Sequence, residues 1–395
     1  MFAWFNQIFQ ISWMNLKNVP ARWGASLVIV VGIAGVVGVL TAVLSMAEGF
    51  KATLGKAGQE DRVIVMRSGA TSELSSGLSR EQALLIKQAP GILRASDGTP
   101  MAAAELLVIA DLPKKSSLTL ANAALRGVQS GSFLLRPEVK IVEGRKFTPG
   151  TRELVVGKQA SQQFANLTVG AKLAFRDSDW TVVGVFEAAG NVHESELWAD
   201  AEALQNTYRR NGFQSVSAQL ENKESLSTLK AALNSDPSLS LKISTLKEYY
   251  ANQSKQLSTL LTILGYSIGV IMAVGAVFGA LNTMYAAIST RSREIATLRA
   301  LGFSAGPVVI SVLLEAIVLA LLGGMIGAAL SYLIFNGYTA ATLGANFSQV
   351  AFDFKVTGAL MIQGIVLAIG IGFIGGLLPS WRAARLSVTT ALRAL

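Results

Sequence analysis

The chain has 395 residues, no cysteine, a net charge of +9 and 51% apolar side chains. A mean hydropathy of +0.46 excludes an ordinary soluble protein of this size, and the long polar middle excludes a bare membrane bundle; a few spans plus one large folded domain fit. The lack of cysteine rules out disulfides, thiolate metal sites and cysteine nucleophiles. The basic charge does not point to nucleic acid, because most of it flanks the apolar runs: Lys17, Arg22, Arg291, Arg293, Arg299, Arg382, Arg385 and Arg393, against Glu294 alone.

Residues 1–24 are rich in aromatics. Phe2, Phe5, Phe9, Trp13 and Leu16 share one helical face, the pattern of an interfacial helix lying on the membrane, with Pro20 as the turn. Residues 25–47 carry no charge and form the first predicted span, long enough at about 1.5 Å per residue for a hydrocarbon core of roughly 30 Å. Ser45-Met46-Ala47 has the look of a signal-peptide cleavage site, but the apolar run exceeds the usual h-region of about 7–15 residues.

Residues 48–255 are soluble in character. Short β-rich runs recur at 63–66, 106–110, 139–142, 154–156, 172–175 and 180–186, separated by turns such as Thr148-Pro149-Gly150. Helical patterns fall at 79–88, with Ser79 as N-cap, and at 200–210 and 224–234. Helix-flanked strands around a strand-only centre predict two subdomains, with a β-rich one around 121–198 inserted into an α+β one.

Residues 256–290 are the second span, longer than a bilayer requires. A charged turn follows at 291–305. The third span, 306–335, has one intruder, Glu315, and an intramembrane carboxylate is a functional hypothesis by default; a hydrogen-bonded clamp to a neighbouring helix is the structural alternative. Residues 336–358 read as a simple polar loop. The fourth span, 359–380, is ended by Pro379, and a tail at 381–395 begins with Trp381 and Arg382. Alternation puts both termini and the 291–305 turn inside, and the large domain and the 336–358 loop outside. Gly323, Gly324, Gly327, Gly375 and Gly376 are close-packing positions, within this chain or against a second copy.

In the charged turn, Ile295, Leu298 and Leu301 recur at three-residue spacing and read as one apolar face. Arg291, Glu294 and Arg299 flank it, and Arg291 can pair with Glu294. Such a stripe suits docking into a groove of another protein; the alternative is that the arginines are only topology anchors. No G-x-x-x-x-G-K-[ST] loop exists, because Gly157-Lys158 is followed by Gln159 and lacks the leading glycine, so this chain does not hydrolyse ATP by that route. His193, the single histidine, lies near Glu194 and Glu196. It reads as a solvated loop histidine rather than a metal ligand, and no catalytic constellation can be built around it.

At this point the residues resemble a known superfamily. Arg293-Glu294-Ile295-Ala296-Thr297-Leu298-Arg299-Ala300-Leu301-Gly302 resembles the REIGxLRALG signature of the MacB, FtsX and LolC/LolE permeases. Pro379-Ser380-Trp381-Arg382-Ala383-Ala384-Arg385 to Ala391-Leu392-Arg393 resembles their PxxRAAR…ALR ending. Asn15-Leu16-Lys17-Asn18 resembles their N-terminal motif, and Glu143-Gly144-Arg145 and Glu153 to Gly157 their outer-domain strands. The resemblance implies an α-helical membrane protein with four transmembrane helices and a large α+β extracytoplasmic (periplasmic) domain inserted between the first and second. It implies the non-catalytic permease of an ABC efflux or secretion system in the bacterial inner membrane, working by mechanotransmission. Two separate ATPase subunits carrying ATP and magnesium would dock on Arg291, Arg293, Glu294, Ile295, Leu298, Arg299, Leu301 and Gly302. A second permease copy or paralogue, a periplasmic adaptor and a TolC-like outer-membrane channel are the other implied partners, with membrane lipid around the spans; no cofactor is implied on this chain. Lipoprotein release, or FtsX-like scaffolding that activates a cell-wall hydrolase, are the alternatives within the superfamily.

Overall fold

A computed structural model describes residues 2–17, 23–236 and 238–385; Pro20, Arg22 and Arg393 lie outside the described residues. In chain order come α1 (Phe2–Lys17), α2 (Trp23–Ala57), β1 (Arg62–Arg67), α3 (Arg80–Gln88), β2 (Ala102–Pro113) and β3 (Leu120–Val128). Next are α4 (Ser130–Leu135), β4 (Lys140–Gly144), β5 (Glu153–Gly157), α5 (Lys158–Gln163), β6 (Lys172–Phe175) and β7 (Ser178–Glu187). Then follow β8 (Glu196–Asp200), α6 (Ala201–Tyr208), β9 (Ser215–Gln219), α7 (Ser225–Asn234) and β10 (Leu241–Thr245). The chain closes with α8 (Leu246–Thr290), α9 (Ser292–Ala300), α10 (Ala305–Phe335), β11 (Thr339–Leu343), β12 (Gln349–Asp353) and α11 (Gly358–Ala384). It forms two compact units: Met1–Glu48, Thr259–Tyr338 and Phe354–Leu395 make the first, and Gly49–Ser258 with Thr339–Asp353 the second.

In the first unit, α2, α8, α10 and α11 are long and apolar enough to cross a membrane. α10 is the central post, because small residues let its neighbours approach. A Cβ on Gly323 would stand 2.7 Å from the Val30 carbonyl oxygen, and one on Gly327 2.4 Å from that of Ala34, so α2 presses backbone to backbone against this face. α11 packs on α10 as closely, since a Cβ on Gly376 would meet that of Ala316 at 2.7 Å. The close-packing glycines therefore serve contacts within this chain. Pro379 does not end α11, which runs on to Ala384. The missing N–H orphans only the Gly375 carbonyl, and a glycine there carries no side chain to crowd the ring; such prolines are tolerated in membrane helices.

The N-terminal helix α1 packs one side on the bundle: Ile11, Ser12 and Asn15 are buried, and Asn15 Nδ2 donates to Ser311 Oγ of α10 at 3.1 Å. Phe9 and Trp13, on another face, stack with centroids 6.4 Å apart and stay exposed.

The second unit is built on one sheet in the order β10-β1-β9-β2-β3-β8-β5-β7-β4, with β6 on β7. The expected strand-only centre is corrected, since α4 and α5 lie within it and its strands continue the same sheet. Among the described residues its apolar packing includes a small cluster of Val128, Val155, Phe186 and Trp198 and two larger ones. One gathers Val63, Val65, Ile86, Val216 and Leu229; the other gathers Leu125, Val156, Phe164, Trp180 and Leu197. β2 passes from the first core at Ala104 to the second at Leu106, with Glu105 at the crossing. Ser79 caps α3 by accepting from the Gln82 N–H, and the Gln82 side chain returns to the Ser79 N–H. The 336–358 stretch is not a simple loop. It contains the β11–β12 hairpin, whose Val350, Ala351 and Phe352 are buried. Phe352 meets Phe50 edge-on at 5.5 Å, and the Ala351 N–H donates to Ser195 Oγ at 2.9 Å.

A candidate coupling site at the charged turn

The charged turn folds as a short helix because its two ends are closed locally. Arg291 breaks α8, and its carbonyl accepts from Ile295 N–H to begin α9. At the far end Gly302 takes φ +96. Phe303 N–H reaches back to the Leu298 carbonyl and Gly302 N–H to that of Arg299. This is the Schellman closure, which needs a glycine at the left-handed position. Gly302 is thus a stop signal that lets α10 begin three residues later.

The two faces of α9 differ from the expected docking stripe. Ile295 and Ala296 are buried in the membrane unit's core with Ile11, Ile288 and Val308. Ile295 is therefore a fixing residue and not a docking anchor. Leu298 is half-buried, and only Leu301, 73% exposed, projects fully. The spacing explains the split: each step of three residues falls about 60° short of a full turn, so Ile295 and Leu301 point about 120° apart. Arg293, Glu294, Thr297 and Ala300 complete the exposed face.

The arginines divide in the same way. Arg291 is buried, and its Nη1 donates to Glu315 Oε2 at 2.9 Å. Among the described residues no ion pair joins Arg291 to Glu294, so that expectation is corrected. The intramembrane carboxylate and the first arginine of the turn are one clamp. It fixes the α8–α9 junction to α10. Arg299 is half-buried and its Nη1 donates to the Ala384 carbonyl at 2.8 Å, satisfying an orphan acceptor at the end of α11. α1 borders the same place: Ile11, Met14 and Asn15 line a narrow cleft with Arg291, Glu294 and Leu298. The result is a helix gripped on one side by α1, α10 and α11, and open on the other.

Two family models match. Residues 25–236 match the MacB-like periplasmic core domain, and residues 266–388 match the FtsX-like permease C-terminal domain, which contains the whole turn. The chain belongs to the MacB/FtsX-type ABC permease family. Among its relatives is the uncharacterized ABC transporter permease YknZ of Bacillus subtilis, 24% identical over 288 residues, which are 69% of this chain and 70% of that one. The macrolide export ATP-binding/permease protein MacB of Neisseria gonorrhoeae is 25% identical over 289 residues, 69% of this chain but 43% of its own length. The chain thus spans less than half of that relative. Two solved structures are similar to part of it. The extracellular domain of YknZ from Gram-positive bacteria matches at 16% identity and TM-score 0.35, covering 47% of this chain and all of that domain. The periplasmic region of MacB from Actinobacillus actinomycetemcomitans matches at 15% and 0.36, covering 49% and 92%.

The outer domain of this MacB/FtsX-type permease holds a second polar cluster, one that sequence reading missed. Arg126, fully buried on β3, grips Glu196 with Nε and Nη2 at 2.8 Å each, Glu73 at 2.8 and 2.9 Å, and Glu105 at 3.0 Å. Arg136 takes the other side of Glu105 at 2.6 and 2.9 Å. Burial pushes the Glu105 carboxyl up, but the charges of Arg136 and then Arg126 outweigh it and hold it at about 2. Burial likewise opposes Glu196, and Arg126 and His193 hold it well below the carboxylate range. His193 is not a solvated loop residue. It is buried, its Nδ1 lies 3.2 Å from Glu196 Oε2, and its Nε2 lies 3.4 Å from Tyr250 Oη at the start of α8. Both ring nitrogens are engaged inside the network. The cluster lies where β2 changes cores, so it ties the two halves of the outer domain together by ion pairs rather than by apolar packing.

Proposed function

We propose that this chain is the permease subunit of an ATP-driven ABC efflux or secretion system, and that it transmits the motion of a separate ATPase subunit to its outer domain. The observation that carries this reading is the division of α9. One face is locked to α10 and α11 through Ile295, the Arg291–Glu315 pair and the Arg299–Ala384 bond. The other presents Leu301, with Leu298 at its edge and Arg293 and Glu294 beside it. A surface helix held this firmly passes an applied force to the spans instead of yielding, and the exposed leucine within a charged rim is the chemistry of a docking knob. α8 and α2 each run without a break past their unit boundaries at Ser258 and Glu48, as continuous elements able to carry displacement.

In this reading the membrane is the bacterial inner membrane. α9 and both termini face the cytoplasm, and ATP and magnesium are bound by the ATPase. The outer domain and the β11–β12 hairpin, packed in one unit, share the opposite side. A second permease copy completes the complex, with an adaptor and an outer-membrane channel as downstream partners. The relatives named for macrolide export support export as the task. The test is Leu301→Asp, which leaves the bundle core untouched. A central anchor is worth roughly 2 kcal/mol, or about thirtyfold in affinity. ATPase co-purification and stimulation should fall by that order while membrane insertion and melting behaviour stay unchanged. Wild-type stimulation in this variant would refute the docking role.

A further inference from the structure

α8 and α11 meet closely at one level: a Cβ on Gly375 would stand 2.8 Å from that of Ala280. One to two turns further on, both helices carry aromatic and basic groups. Arg382 lies over the Tyr285 ring at 5.4 Å, and Arg385 over Trp381 at 5.0 Å. Leu378, Trp381, Arg382 and Arg385, all at the end of α11, line a shallow, open groove on that helix. Among the described residues neither guanidinium is paired with a carboxylate. Each is held over a ring, which orients it without neutralising it. Leu378 and Trp381 are both exposed, and they extend the apolar strip of Phe373, Ile374 and Leu377 along the same helix.

We propose that this groove binds one anionic phospholipid. Its phosphate would be taken by Arg382 and Arg385, its glycerol region would lie against Trp381, and an acyl chain would follow the strip from Leu378 to Phe373. Two unneutralised guanidinium groups complement a phosphodiester, and arginine offers it paired donors. The apolar strip decides between occupants. A protein partner or a free anion has no use for an exposed hydrocarbon track leading away from the charge, whereas a lipid needs both parts joined. Clustered basic residues at the end of a membrane helix are suited to anionic headgroups. The site lies on the outer flank of α11, whose final carbonyl at Ala384 accepts from Arg299, so an occupied groove would brace the helix end on which the coupling turn rests.

The test uses the full chain in detergent, offered phosphatidylglycerol or phosphatidylcholine at equal concentration and read by native mass spectrometry. One phosphatidylglycerol should be retained per chain, and the Arg382→Gln/Arg385→Gln double variant should lose the preference by about thirtyfold. Its melting midpoint, taken without added lipid, confirms that it is folded. Arg145→Gln, a charge change in the outer domain, should leave the preference intact. A folded double variant that keeps the preference overturns the site, as does an equal loss in Arg145→Gln, which would make the effect one of bulk charge. Displacement of the lipid by millimolar inorganic phosphate would assign the arginines to a free anion instead. A double variant that keeps its lipid but no longer retains the ATPase would assign them to a protein contact.

Discussion

Breaking the Arg291–Glu315 pair should do more damage than removing it altogether. Both side chains are nearly excluded from solvent, at 9% and 5% exposure, and their charged atoms lie 2.9 Å apart. Arg291 Nη2 has no hydrogen-bond partner among the described residues, and Glu315 is the one carboxylate paired with the guanidinium there. Glu315→Leu therefore leaves the buried guanidinium without its carboxylate, at about 3–5 kcal/mol, and Arg291→Met removes the ion-pair partner of Glu315 and should also destabilise. The double variant Arg291→Met/Glu315→Leu replaces two charges with apolar groups of comparable size and should lie within about 1 kcal/mol of wild type, or above it. Glu315→Gln keeps an acceptor for Nη1 and should fall between. The assay is the melting midpoint of the purified chain in one detergent, with ATPase stimulation measured beside it. Restored midpoint with impaired stimulation in the double variant would show that the clamp serves force transfer more than stability. Strictly additive midpoint losses, or single variants as stable as wild type, would refute the pairing.

Acid should loosen the outer domain late. The folded Glu105 carboxyl is held at about 2 against an ordinary 4.5, so its contribution of about 3 kcal/mol is fully present above 4.5 and is lost as pH falls towards 2. Near-ultraviolet circular dichroism should show Arg136→Met losing tertiary signal at higher pH than wild type; coincident curves would contradict this. Phe352→Ala empties the hairpin's seat against Phe50 and should lower stability by about 3–5 kcal/mol, read as a drop in melting midpoint. Gly302→Ala forces a side chain into a left-handed position and should cost about 1 kcal/mol, with reduced ATPase coupling; unchanged coupling would mean α9 tolerates a displaced end. Single cysteines test the sidedness cleanly, since the chain has none. Exposed Ser117 should react with an impermeant reagent in intact cells and exposed Ser304 should not.

Much of this was legible in the sequence, for identifiable reasons. Long uncharged runs can only be spans or deep core, and the β-branched run at Val63 to Met66 and the Ser79 capping box carry their signals locally. What escaped was of two kinds. Strands such as Leu120–Val128 (LANAALRGV) and Ser215–Gln219 (SVSAQ) mix alanine, serine and polar residues with only two leucines and two valines, so their pattern is weak and the sheet around them decides their state. The β11–β12 hairpin is similar: TAATL and QVAFD read as polar loop until the second unit covers one face. The other kind was pairing at a distance. Arg126 meets Glu73 across 53 residues and Arg291 meets Glu315 across 24, and no periodicity links such positions. A buried arginine with several carboxylates is invisible until the fold assembles it.

The arginines at the basic end of the membrane unit show why composition alone could not separate anchor from site. A surplus of positive charge there predicts orientation equally well whatever each side chain does. The structure gives the same residue type three different tasks. Arg291 is buried against a carboxylate and holds the start of α9; Arg299 reaches a helix end and holds its far part; Arg382 and Arg385 lie over rings with no carboxylate beside them. Among the described residues the last pair has no carboxylate partner, so its charge is available to something outside the chain. The first two are committed to keeping α9 still. In the proposed role, a docking knob that moved relative to its own bundle would dissipate the push it receives. Fixing the inner face with two arginines and Ile295, while leaving Leu301 exposed, would then let a short surface helix drive two long ones.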